Sequence, residues 1–241
     1  MISKLKKAER LESKDTYYIT EYIWRVLIVS KLILPLLIRT NIKPNHITIF
    51  AMLCVVGSFI LLYLGHNILS GILFLIYSIA DHTDGMLARL RDQSTKLGHW
   101  LDYICDYTAW FGLIILATYI YHLSIFCASF VAFALLFHQQ FCKHFIHAKL
   151  KKLNKIYRFG LKKYLLERGI LLGIDVSLLA IILSISIFSL KFELCFYTLG
   201  IIYLIDILYR IIELYRNIQL NGGGRWSLRI KPISSPVLHQ A

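Results

Sequence analysis

Charged residues are scarce in this chain. Asp, Glu, Lys and Arg make up 17% of its 241 residues, against roughly 25% in an average soluble domain. Acidic residues are the scarcer kind, 14 against 27 Lys and Arg. Proline occurs only four times, so most of the chain has no helix breaker. The five cysteines (54, 105, 127, 142 and 195) are odd in number and lie in or near apolar stretches, which argues against a disulfide-stapled secreted module. Gly-rich phosphate loops, paired Cys/His zinc spacings and internal repeats are missing. What replaces charge is apolar bulk: 57% hydrophobic residues and a mean hydropathy of +0.61. That composition excludes a disordered chain and a collagen-like fibre. It describes a polytopic membrane protein.

A hydrocarbon core ~30 Å thick takes about 20 apolar helical residues to cross. Six stretches qualify: 46–65, 68–90, 98–121, 123–142, 169–190 and 193–214. Short connections around Gly65, His122 and Lys191 predict antiparallel neighbours. Six crossings place 26 of the 27 Lys and Arg on one side and Lys191 alone on the other. By the positive-inside rule the basic side, with both termini, is cytoplasmic, and in a bacterium the membrane is the inner one. The net charge of +13 is then matched to anionic headgroups or cytosolic anions, and nucleic acid is not needed as a partner.

Residues 22–38 are apolar but interrupted by Arg25, Lys31 and Pro35. This predicts an amphipathic helix lying in the cytoplasmic interface, with Trp24 as a headgroup-level anchor. The first 20 or so residues are polar rather than signal-like, so no cleavage is expected. The expected organisation is a cytoplasmic N-terminal region over 1–43, a six-helix transmembrane catalytic domain over 44–215 and a flexible cytoplasmic tail over 216–241.

Six carboxylates fall inside predicted spans: Asp81, Asp84, Asp102, Asp106, Asp175 and Asp206. Each costs ~2.5–3.5 kcal/mol at a bilayer centre, so each is a functional candidate. Asp206 has Arg210 four residues on and reads as an ion pair; Asp175 stays ambiguous. The other four form two pairs. Asp81 and Asp84 share one helix face with Gly85 and Ala88, and Asp102 and Asp106 share a face of the next span. A connector running from Arg91 to Lys96 puts both pairs at similar depth near the cytoplasmic end. Four converging carboxylates need protons or cations among them. An all-oxygen set suits Mg²⁺ or Mn²⁺, and a carboxylate-held metal pair suits phosphoryl transfer. A cation or proton pathway is the competing reading, although a transport site is expected nearer the midplane.

The run from Asp81 to Asp106 fits D-x2-D-G-x2-A-R-x8-G-x3-D-x3-D at all eight fixed positions. In this it resembles the CDP-alcohol phosphotransferases, as do Pro44-Asn45-His46-Ile47-Thr48 leading into the first span and the interfacial helix before it. The resemblance implies that Asp81, Asp84 and Asp102 ligate two divalent metals. It makes Asp106 a further metal contact and the base that takes the acceptor's proton. It assigns Gly85, Arg89, Thr95, Asn45 and Thr48 to the cytidine nucleotide. The implied partners are a CDP-lipid donor such as CDP-diacylglycerol and a small polar alcohol, with CMP released; a homodimer is the family expectation. Arg168 and Arg210 are candidates for binding a phosphorylated acceptor. Tyr103 and Leu87 stand where members that transfer phosphocholine or phosphoethanolamine often carry His and Gln, which lowers that specificity. A non-catalytic scaffold is a third reading, opposed by the intact motif.

Overall fold

The structure is a computed structural model that describes residues 17–153, 156–158, 160–166, 168–171 and 173–221. The N-terminal 16 residues and the tail beyond 221 lie outside the described residues. Among the described residues the fold is all-α apart from one pairing of two-residue strands. There β1 (Tyr17–Tyr18) runs parallel to β2 (Ile170–Leu171), with Tyr17 opposite Ile170 and Tyr18 opposite Leu171.

Helix α1 has three parts: Ile19–Glu21, Tyr22–Ile33 and Leu34–Leu37. The middle part is wound in the wide form, and the Leu34 N–H reaches back five residues to the Val29 carbonyl. Pro35, which has no N–H to donate, sits in the first turn of the last part. Trp24, expected at headgroup level, donates its indole N–H to Ser78 Oγ at 2.9 Å. That bond ties α1 to the third helix.

The remaining helices begin and end where local chemistry allows. Helix α2 (Pro44–Tyr63) opens on Pro44 at its first position. Gly65, at φ 81°, makes the left-handed turn into α3 (Asn67–Leu90). Thr95 caps α4 (Lys96–Tyr121) by accepting from the Gly98 N–H. Ser124 caps α5 (Ile125–Leu150) by accepting from the Phe126 N–H. A short α6 (Gly160–Leu166) precedes α7 (Val176–Ser189), and α8 (Phe192–Leu220) ends the described chain. The predicted ambiguity at Asp175 resolves into a cap. Its carboxylate accepts from the Ser177 and Leu178 N–H groups, each at 3.2 Å, and from the Thr20 hydroxyl of α1.

Among the described residues, four helices are long and apolar enough to cross a membrane: α2, α4, α5 and α8. The other two expected spans fall short for separate reasons. Helix α3 has 24 residues, but its polar end, which carries Asp81, His82 and Asp84, lowers its mean hydropathy. Helix α7 has 14 residues, about 21 Å at 1.5 Å per residue, because the chain from 169 is occupied by β2 and the Asp175 cap before it turns helical.

These six helices close into a ring in the order α3, α2, α4, α5, α8, α7. Consecutive helices joined by a short connector are usually neighbours, yet α2 stands between α3 and α4. Small residues set the close approaches. Ser58 and Ser70, both fully buried, exchange bonds across α2 and α3, each hydroxyl donating to the other's carbonyl at 2.9 and 2.8 Å. A Cβ on Gly200 would stand 2.3 Å from the Phe130 ring, and one on Gly112 2.7 Å from Phe59.

Candidate active site

Holding α3 and α4 apart leaves a gap at the ends that their connector joins, and the motif carboxylates meet across it. Asp81 is the hub, within hydrogen-bonding distance of both Asp102 and Asp106. Asp84 is buried, 4% exposed, and accepts from the Thr48 hydroxyl of α2. Asp106 Oδ1 accepts from the Tyr77 hydroxyl at 2.7 Å. Tyr77 lies one turn before Asp81 on the same face of α3 and is almost wholly buried; the spacing was the available sign, and the motif does not include it. The donor set is entirely oxygen, carboxylate with hydroxyl, which fits hard divalent cations and does not suit zinc or copper. Four carboxyl groups this close also need positive charge among them.

Beside the carboxylates, toward the connector between α3 and α4, a pocket of about 350 Å³ opens. Its walls include all five residues assigned to a nucleotide, Asn45, Thr48, Gly85, Arg89 and Thr95, together with Asp84 and Asp102. Gln93, Ser94 and His99 also line it, though the sequence argument gave them no part. Gln93 and Ser94 stand in the short connector and His99 in the first turn of α4, and their polarity was the available signal. Two motif glycines are explained by contact distance. A Cβ on Gly98 would lie 2.9 Å from Asn45 Oδ1 and 3.1 Å from Thr95 Oγ1, so Gly98 lets the start of α2 lean on the start of α4. A Cβ on Gly85 would have the Arg89 guanidinium nearest to it, at 3.4 Å, and would intrude on the pocket that Gly85 lines.

Behind Asp81, on the face turned from α4, His82 Nε2 is 2.8 Å from Ser177 Oγ and His82 Nδ1 is 3.8 Å from Asp81 Oδ2. The imidazole thus links the carboxylate hub to the first turn of α7.

Arg168 and Arg210 are not brought together in one pocket by any described contact. Arg168 is exposed, its guanidinium 3.6 Å from the centre of the Tyr164 ring. Arg210 is buried, with Nε on Asp206 Oδ2 at 2.5 Å. The Asp206–Arg210 pair expected from their i, i+4 spacing is therefore present. His138 Nε2 joins it at 2.7 Å from Asp206 Oδ2, and His147 Nε2 is 3.3 Å from Arg210 Nη1. His138, Cys142 and Asp206 present ligand atoms all within 4.8 Å of one another. Arg210 already supplies that carboxylate with a cation, so the group reads as an ion-pair network joining α5 to α8. Gly173 lets the chain before α7 pass over this network: a Cβ there would lie 2.9 Å from the Tyr18 ring and 3.2 Å from Arg210 Nη2.

The helices are those of a membrane protein, and an all-oxygen carboxylate cluster stands beside a polar pocket at one end of them. The comparisons give the protein a family. A sequence model described as CDP-alcohol phosphatidyltransferase matches residues 41–208, and the chain belongs to that family. It is also 42% identical over 69 residues to an uncharacterized protein of Aquifex aeolicus (strain VF5), a stretch covering 28% of this chain and 35% of that one. The chain thus matches about a third of that relative's length.

Proposed function

We propose that this protein transfers the phosphatidyl group of a CDP-lipid, CDP-diacylglycerol or a close relative, to the hydroxyl of a polar alcohol. The new bond joins the acceptor oxygen to the β-phosphorus, the bond from that phosphorus to the bridging oxygen breaks, and CMP leaves. The observation that carries this reading is the meeting of Asp81, Asp84, Asp102 and Asp106 beside the pocket lined by Asn45, Thr48, Gly85, Arg89 and Thr95.

In this reading Asp81, Asp84, Asp102 and Asp106 hold two divalent cations, Mg²⁺ or Mn²⁺. Bound there, the cations would polarise phosphate oxygens and offset the charge that develops during transfer. Thr48 orients Asp84 by donating to it. Arg89, which lines the pocket, offers a planar fork to a phosphate. Tyr77 holds Asp106 at one oxygen and so sets the direction in which this carboxylate takes the acceptor's proton. The rest of the rate comes from positioning in a site shielded by helices. Arg168 and Arg210 stay assigned to a phosphorylated acceptor only if Arg210 exchanges its bond to Asp206 for one to substrate.

We place all six ring helices across the bilayer, with both termini and the pocket on the cytoplasmic side. Helix α3 is long enough, and the charge distribution of the sequence supports the sidedness. A transport function is less well supported, because the carboxylates sit at one end of their helices rather than at the midplane. Purified protein supplied with CDP-diacylglycerol, Mg²⁺ or Mn²⁺, and separately glycerol 3-phosphate, inositol phosphate, inositol, serine or choline, is expected to release CMP with at least one acceptor. Absence of CMP with every acceptor and both metals, from protein that is folded and monodisperse, overturns the proposal.

A further inference from the structure

Arg91 follows the motif arginine by two residues and belongs to none of the eight fixed positions. Its guanidinium binds three main-chain carbonyls of a single turn. Nη1 donates to the Ile42 carbonyl at 2.5 Å, and Nη2 donates to those of Leu37 at 2.8 Å and Thr40 at 2.7 Å. This turn joins α1 to α2. Residues 38–43 are all exposed, so little apolar burial holds the turn in place. Thr40 closes it locally, donating to the Leu37 carbonyl at 2.8 Å and accepting from the Ile42 N–H at 3.4 Å. Arg91 is what fastens it to α3. Two residues beyond Ile42, Pro44 begins α2, and Asn45 and Thr48 form the pocket wall that faces Gly85 and Arg89.

We propose that Arg91 is a positioning residue for the nucleotide. It fastens the α1–α2 turn to the end of α3 and thereby sets the distance across the pocket between Asn45 and Thr48 on one wall and Gly85 and Arg89 on the other. The inference rests on reading that pocket as the nucleotide site. A guanidinium suits the task because its donors diverge in a rigid plane and reach three carbonyls at once, which a lysine ammonium on a flexible stem does not reproduce. The location also suits a cation, since the C-terminal end of a helix carries the negative end of its dipole.

The test uses the full-length protein with Mn²⁺, reading CMP affinity directly and CMP release from CDP-diacylglycerol under saturating acceptor. Arg91→Ala and Arg91→Lys are each expected to weaken CMP binding and raise the donor KM about tenfold, a factor equivalent to one decade in Kd. The rate at saturating donor is expected to stay within about threefold, because the carboxylate cluster is untouched. Combined with Asn45→Ala, Arg91→Ala is expected to add less than about twofold, since both losses act through the same wall. If Arg91→Ala does not fold, Arg91→Lys carries the comparison. Unchanged CMP affinity in the variants, or a fully additive loss in the double variant, overturns the role of Arg91. Failure of the unaltered protein to bind CMP overturns the nucleotide reading instead.

Discussion

Gly98→Ala separates packing from function, because its effects on stability and on binding are expected to have opposite signs or very different sizes. The new Cβ would lie 2.9 Å from Asn45 Oδ1 and 3.1 Å from Thr95 Oγ1. Both are the ends of side chains, so each can move without displacing backbone. For the fold, alanine is the better helix residue by up to ~1 kcal/mol. Against that stands disturbance of the Thr95 cap, which accepts from the Gly98 N–H at 3.0 Å and is worth about 1 kcal/mol. The two nearly cancel, and the melting temperature is expected to move by only a few degrees. The pocket fares differently. Asn45 has to swing away from α4, and losing one hydrogen bond to a bound nucleotide costs about 1 kcal/mol, or roughly fivefold in Kd. Calorimetric titration of CMP in Mn²⁺, paired with a thermal melt of the same sample, reads both quantities. A large drop in melting temperature with unchanged CMP affinity would refute the reasoning, for it would make Gly98 a packing residue alone.

Asp106→Asn keeps shape and removes the base, and is expected to lower CMP release by about 10²–10⁴ while nucleotide binding persists; loss of binding to the same extent as turnover would assign Asp106 to the cation site alone. Chelation is expected to abolish turnover and readdition of Mg²⁺ or Mn²⁺ to restore it, whereas Asp81→Ala, which removes the carboxylate hub, is expected to lose metal-dependent CMP binding that no metal excess restores. Gly200→Ala drives a Cβ to 2.3 Å from the Phe130 ring between α5 and α8, an overpacking expected to cost about 1–3 kcal/mol, readable as a lower melting temperature with the donor KM unchanged. For sidedness, in a variant lacking the natural cysteines, His66→Cys is expected to react with an impermeant maleimide from outside intact cells, and Gln93→Cys only after permeabilisation.

Much of the site was legible in one dimension because its residues are set by helical spacing. Asp81 with Asp84, and Asp102 with Asp106, share faces by i, i+3 and i, i+4 arithmetic, and a short connector puts both pairs at the same end whatever the rest of the chain does. The same arithmetic predicted the Asp206–Arg210 pair. The N-cap role of Asp175 was not legible, since it depends on where α7 starts, and β2 delays that start.

By itself the sequence determined the helical membrane class, the excess of Lys and Arg over Asp and Glu, the eight motif positions and the faces on which they lie, because helix periodicity and hydropathy are properties of adjacent residues. Tertiary structure alone decided that α2 separates α3 from α4 and so opens the gap, that Arg210 is buried against Asp206 and His138, that Tyr77 bonds to Asp106 and that Arg91 bonds to the α1–α2 turn. Which helices become neighbours depends on contacts such as the Ser58–Ser70 exchange and the Phe130 ring against Gly200. Those contacts join residues 12 to 70 positions apart, and no local pattern encodes a pairing at that range.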